Sequence, residues 1–221
     1  MPKNLPNACA IHSANPALRV KVRSGFVMRT NENFLAKIDP SEVAEIKLLG
    51  DPALRTVAQP VDVFDDSTFA SERQLLYSTL LDFRKRNHFG RAISAPQIGR
   101  PTRLIAMHLD GTRHFMINPV ITWASDNCFT MWDDCMSFPT LLVRLERARS
   151  ISVHFQDENG EHKDWNRLDI ATSELLQHEI DHLDGVLAID RAIDKESIVL
   201  REAYLADPQY FRKLVDYEIE A

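Results

Sequence analysis

Residues 169–185 read Asp-Ile-Ala-Thr-Ser-Glu-Leu-Leu-Gln-His-Glu-Ile-Asp-His-Leu-Asp-Gly. Asp169 suits an N-cap, and Gly185 suits the left-handed position that follows a helix, so a helix over 170–184 is expected. On such a helix His178 and His182 lie four residues apart on one face, and both imidazoles can reach a single cation. Glu179, beside the first histidine, can hold a water on that cation and take its proton. The alternative is a solvated helix that happens to carry two surface histidines.

A helical histidine pair needs a third ligand. The metalloprotease reading of the pattern takes it from downstream, but no histidine follows His182, and Glu196, Glu202, Glu218 and Glu220 sit in no ligand motif. Upstream, Cys135 lies in a segment expected to be extended, Trp132-Asp133-Asp134-Cys135-Met136-Ser137-Phe138-Pro139. A thiolate and two imidazoles make a sound tetrahedral set with one position left open. Taken alone, Cys135 reads as a small buried residue; taken with the helix, it reads as a ligand.

Composition sets the frame. The 221 residues are 44% hydrophobic and 26% charged, the balance of an ordinary globular chain that can bury a core without disulfide staples. A net charge of −6 disfavours a generic nucleic-acid binder. No apolar run of 18 residues marks a membrane span, and no apolar core after the early charges marks a secretory signal. Three cysteines, an odd and small number, argue for a reducing compartment. Residues 1–31 carry five basic residues and no acidic one, with Pro2, Pro6 and Pro16 breaking any continuous helix. Residues 1–42 are therefore expected to be a flexible extension or a targeting segment.

A coarse segmentation follows. Residues 46–64 are expected to start as a strand, turn at Asp51-Pro52 and run extended to Pro60. Residues 67–87 form a helix capped by Asp66 or Ser67 and ended by Gly90, with Leu76, Leu80 and Phe83 as its stripe. The stretch 91–99 is a loop. Strands are expected at 104–109, 114–118, 120–123, 128–137, 141–145 and 151–156, with hairpin turns at Asp110-Gly111 and 157–160. A last helix runs through 195–206, and Pro208 interrupts it. The fold class is α+β, with antiparallel or mixed sheets wrapped on the helix that bears His178 and His182. The catalytic unit spans 43–195, and 196–221 is a helical extension.

Three motifs in order carry a family resemblance. The first is Gly90-Arg91-Ala92-Ile93-Ser94-Ala95-Pro96-Gln97-Ile98-Gly99, the second is Asp133-Asp134-Cys135-Met136-Ser137, and the third is Gln177 through Gly185. Together with the opening segment Asp51–Arg55, Ala58 and Pro60-Val61, the chain resembles peptide deformylase from about Ile46 to Ile193. The resemblance implies removal of the formyl group from N-formylmethionine at the start of new polypeptides. It implies Cys135, His178 and His182 as metal ligands and Glu179 as general base and then acid toward a metal-bound water. It implies Gln97 and the backbone N–H of Met136 as oxyanion donors. One divalent ion is implied, Fe2+ in the cell, with Zn2+, Ni2+ or Co2+ as alternatives.

The implied partner is the formylated nascent chain, with the ribosome surface as a further contact and neither nucleic acid nor membrane. The implied location is the bacterial cytoplasm, or a mitochondrion or plastid if residues 1–31 are a transit segment. Substrate contacts are expected from Gly90, Ala92, Ile93, Asp133 and Asp134, with an apolar pocket for the first side chain walled by Ile93, Leu175 and the core beside Ile180.

Departures from the family pattern are Ala92 for a glycine, Ser94 for an alanine, Asp133 for a glutamate and Asp134 for a glycine. The family's glutamate pairs with an arginine, and Arg144 and Arg147 are both candidates. Strand alternation points Asp134 away from the metal. Asp181 is expected to orient a ligand histidine or to bond nearby backbone. The alternatives kept open are a deformylase for a different N-formyl compound and a non-catalytic binder of formylated peptides.

Overall fold

The computed structural model describes residues 42–219. The expectations for residues 1–41, including a transit segment, lie outside the described residues. Helix α1 spans Ser67–Asn87, and the Asp66 side chain accepts from Thr68 N–H at its start. His88, with φ 62°, takes the left-handed position at its end, two residues before Gly90. Eight strands follow in two sheets: β1 Ala92–Ser94, β2 Leu104–Leu109, β3 Thr112–Ala124, β4 Cys128–Asp133, β5 Leu141–Ala148, β6 Ile151–Gln156, β7 His162–Trp165 and β8 Ile198–Leu200. Helix α2, Ile170–Leu183, lies between β7 and β8 in the chain. The short helices α3, Arg201–Ala206, and α4, Pro208–Arg212, come last.

The larger sheet runs β1-β2-β3-β6-β7 and the smaller β4-β5-β8, and every strand pair is antiparallel. Helix α1 packs Leu76, Leu80 and Phe83 against Ile93, Leu104 and Ile117 of the larger sheet. Helix α2 packs Leu175, Leu176, Ile180 and Leu183 against Ile105, Met107, Met116 and Val153 of the same sheet. Its other side meets the smaller sheet, where Gln177 Oε1 accepts from Ala148 N–H at 3.0 Å. Ten of the 14 residues of α2 are buried, six of them polar or charged. A helix wrapped so completely can bury charge only if each charged group meets a partner.

Several expectations change. The 46–64 segment forms no sheet strand; it makes a 3₁₀ turn at Pro52–Arg55 and a single bridge from Gln59 to Thr102. Pro52 and Pro60 remove the donors that a ladder would need. The loop 91–99 contains β1 and a 3₁₀ turn at Ala95–Ile98. Strand β3 is one element with a register shift between Ile117 and Val120, where Pro119 has no N–H to give. The segment from 195 is not wholly helical, because β8 pairs Ile198 with Val143. Pro208 opens α4 at its first position, where its missing N–H costs nothing.

Gly185 closes α2 at φ +72°, and a Cβ there would stand 2.7 Å from the Arg55 carbonyl oxygen. Gly111, at φ +77°, has nothing within 4 Å of the same position. Gly111→Ala is expected to cost about 1 kcal/mol from the left-handed backbone alone. Gly185→Ala adds a clash with fixed backbone and is expected to cost about 2–4 kcal/mol. Equilibrium denaturation of the two variants checks the difference.

Candidate metal and active site

Helix α2 delivers His178 and His182 one turn apart, with their Nε2 atoms separated by 3.2 Å. Cys135 comes from beyond the end of β4, and its Sγ lies 3.3 Å from His182 Nε2. The three donor atoms lie within 4.8 Å of one another, and all three residues are buried. Ligands bound ~2.1 Å from one cation at tetrahedral angles stand ~3.4 Å apart, so the spacing fits a shared ion. Two imidazole Nε2 atoms and a sulfur turned on one point are lone pairs in search of a cation. Ser137 N–H donates to Cys135 Sγ at 3.4 Å.

Behind the first histidine stands a buried ionic clamp. His178 Nδ1 lies 3.0 Å from Asp133 Oδ2, and Arg147 Nη2 donates to the same oxygen at 3.1 Å. Arg147 Nη1 also donates to Asp181 Oδ2, and Asp181 takes two further bonds from Arg191. Burial alone would raise the Asp133 carboxyl, but His178 and Arg147 outweigh it and bring it down to about 2. Burial works against charge on His178, and Asp133 overcomes it, so His178 holds its proton well above the ordinary imidazole range. Asp133 fixes a proton on Nδ1, and a cation would bind at Nε2 by displacing the ring's other proton. Burial and the neighbouring His178 push His182 well below the ordinary value, which keeps it neutral.

Between the two candidate arginines, the structure brings Arg147 to Asp133 and gives Arg144 to Asp194, 2.8 Å away. Asp181 anchors arginines and touches neither histidine ligand.

The first motif supplies the opposite wall. The Gln97 side chain is 1% exposed. Its Oε1 accepts from Ser94 N–H at 2.9 Å, and its Nε2 points at Cys135 Sγ, 3.7 Å away. The same Nε2 also donates to Ser137 Oγ at 3.3 Å, beside the cluster. Among the described residues no hydrogen bond takes up the N–H of Met136. Glu179 is buried, and the Ser94 hydroxyl donates both to its Oε2 and to its backbone carbonyl, the latter at 3.0 Å. Burial raises the Glu179 carboxyl, with His178 and Ser94 pulling the other way.

Cys135, His178, Glu179 and Gln97 line one cavity of about 390 Å3, which also reaches Gly90, Ala92, Asp133, Asp134, Met136 and Leu175 but neither His182 nor Ser94. Ile93 and Ile180 do not line it; they are buried in the cores under α1 and α2. Asp134 turns to the rim, where Arg201 Nη2 donates to it at 2.8 Å. Sequence reasoning missed three features. Ser94, noted only as a departure, touches Glu179. The last segment, through Tyr204, Leu205 and Tyr217, walls the cavity. Arg91 and Glu174 form an ion pair inside it, 83 residues apart in the chain. Burial pushes the Glu174 carboxyl up to about 7 against the pull of Arg91. No local pattern announces a pair so far apart; the nearest signal is that Glu174 lies four residues before His178 on one helix face.

Comparisons with known proteins agree with this geometry. The sequence model of the polypeptide deformylase family matches residues 43–197. The peptide deformylase of Treponema pallidum is 36% identical over 152 residues, which cover 68% of this chain and 89% of the relative. That of Brucella suis is 31% identical over 182 residues, 78% of this chain and 99% of the relative. The crystal structure of the Thermotoga maritima enzyme superposes with a TM-score of 0.62 at 32% identity, covering 69% of this chain and 99% of that one. A Synechococcus elongatus peptide deformylase in complex with actinonin gives 0.64 at 26% identity, covering 87% and 94%. The chain belongs to the polypeptide deformylase family.

Proposed function

We propose that this protein removes the formyl group from N-formylmethionyl chain ends by metal-assisted hydrolysis. The observation that carries the reading is the cluster of donor atoms from Cys135, His178 and His182 beside a cavity that Cys135, His178, Glu179 and Gln97 line. Cys135, His178 and His182 would hold one divalent ion, Fe2+ in the cell on this reading, which would supply Lewis acidity and a nucleophile from water at neutral pH.

The protein's own groups do the rest. Glu179 takes the proton of the attacking water and later delivers it to the departing amine, so that water and formamide become formate and a free amino end. Gln97 Nε2–H and Met136 N–H donate to the oxygen on which charge develops. Asp133 keeps His178 in the ligating tautomer. Ser94 holds the Glu179 carboxylate in one rotamer, so little reorganisation is left for the reaction itself. The nascent chain is the partner and the bacterial cytoplasm the location of this reading. Among the described residues no helix is long and apolar enough to cross a membrane.

Formate release from a formyl-Met peptide by the Fe2+- or Ni2+-loaded protein, prepared without oxygen, tests the reading. Glu179→Ala is expected to lower kcat by about 10²–10⁴ with metal content unchanged. Gln97→Ala is expected to lower kcat by about 10²–10³, again at full metal content. Near-normal turnover by Glu179→Ala would refute the assigned role.

Asp133→Asn removes the carboxylate that orients His178. It is expected to weaken metal binding about 10–100-fold, read by competition with a chromophoric chelator. Cys135→Ser should alter the bound-metal stoichiometry or affinity, and unchanged binding would count against it as a ligand.

A further inference from the structure

Strand β4 ends at Asp133 and β5 begins at Leu141, and residues 134–140 between them carry both Cys135 and Met136. The two ladders place the ends of such a loop, but its middle can shift unless other groups hold it. One residue holds it from outside. Arg201, the first residue of α3, donates from Nη2 to Asp134 Oδ2 at 2.8 Å and from Nε to the Pro139 carbonyl at 2.8 Å. Its own backbone N–H donates to the Thr140 carbonyl at 2.8 Å. Three bonds from one residue therefore bracket Cys135 and Met136. The guanidinium also lies over the Phe89 ring, 4.7 Å from its centre, so the same group reaches the segment that leads into Gly90. Phe89, Gly90, Asp134, Met136 and Arg201 all line the cavity. The packing there is close, since a Cβ on Gly90 would stand 2.7 Å from Met136 Cε.

This contact differs from an ordinary surface pair. The Arg201 and Asp134 side chains are each 29% exposed, so water competes for only part of the bond. Nη2 and Nε belong to one planar guanidinium and go to two different acceptors, which a point charge could not hold in one geometry. Asp134 stands where the family pattern has a glycine, which offers no carboxylate. Arg201 lies beyond residues 43–197, the stretch that matches the family model.

We propose that Arg201 is a positioning residue. Through Asp134 and Pro139 it sets the 134–140 loop, so that Cys135 Sγ meets the histidine Nε2 atoms and Met136 N–H faces the oxygen on which charge develops. The kinetic side of the proposal rests on the deformylase reading; the placement of the sulfur rests on the donor-atom cluster alone.

Arg201→Met keeps the aliphatic stem and removes both side-chain donors. In the metal-loaded protein it is expected to lower kcat for formyl-Met-Ala-Ser by about 10–100-fold, with KM changed less than about threefold, because small misplacements at the reacting centre cost rate more than binding. In the Co2+-substituted protein the thiolate-to-cobalt charge-transfer band is expected to shift, a readout that involves no substrate. Arg201→Lys restores the charge without the fork and is expected to recover only part of kcat; full recovery would overturn the two-point hold. Asp134→Asn added to Arg201→Met is expected to cost no further kcat, because both act through one contact; an additive loss would count against the proposal. A folded Arg201→Met with wild-type kcat and an unmoved band would overturn it. So would a raised KM at unchanged kcat, the mark of a contact with substrate instead. Should Arg201→Met fail to fold, Asp134→Asn alone removes the charge from one arm of the hold. It is expected to lower kcat by about two- to tenfold and to move the band, and no change in either would overturn the proposal. No formate from the wild-type protein would sink the deformylase reading, and the band would still decide Arg201: a shift in Arg201→Met supports the hold, and no shift refutes it.

Discussion

The architecture turns on Arg147. This arginine of β5 is 3% exposed and sits between two carboxylates, Asp133 at the end of β4 and Asp181 on α2. Through Asp133 it reaches His178, and through Asp181 it reaches Arg191. One guanidinium thus ties the smaller sheet to the central helix at the level of the ligands. Burying such charges is costly, and the two carboxylates offset it, while Arg147 Nε stays buried without a hydrogen-bond partner among the described residues. A helix that must carry two imidazoles and a carboxylate in the interior cannot be seated by apolar contacts alone, since these tolerate sliding. The ionic clamp gives its position a direction as well as an energy.

The departures from the family pattern are absorbed locally. Asp133 is a methylene shorter than the glutamate of the family, yet both of its oxygens stay within 3.1 Å of His178 Nδ1. Asp134 does not join the ligands, because Arg201 takes its carboxylate to the rim and itself lies over the Phe89 ring at 4.7 Å. Ser94 brings a hydroxyl to the buried Glu179 carboxylate. The cavity is also closed by residues beyond 200, so the last segment belongs to the site as well as to the fold.

Much of this was legible in the chain. The caps Asp66 and Asp169, the Asp110-Gly111 hairpin and the bounds of β2 and β6 follow from local chemistry, and local chemistry acts within a few residues. The histidine pair is legible for the same reason, since one helical turn fixes it. What was not legible depends on pairing between distant segments. Arg144 and Arg147 lie within three residues of each other, and no local signal assigns either one to Asp133. Register separates them: β4 and β5 pair Asp133 with Val143 and Phe129 with Arg147, so Arg147 shares the face of Asp133, whereas Arg144 lies opposite Trp132 on the other. The same lack hid β1, whose three residues are a strand only because β2 lies beside them, and β8, which the chain alone presents as the start of a helix. It also hid the meeting of Arg91 with Glu174.

The three donors do not share one origin. The gap between the imidazoles is an internal dimension of a single helix, set by its pitch. The gap from either imidazole to the thiolate spans two segments, one of which has already left its ladder at Asp133 before it reaches Cys135. An error in how the smaller sheet seats on the helix therefore falls first on the sulfur, and reaches the nitrogens only through Asp133 and His178. The triangle of donor atoms is stiff along one edge and adjustable along the other two. Distant substitutions in β4 or β5 would be read out at the metal as a change in sulfur distance, and substitutions confined to the surface of α2 would not.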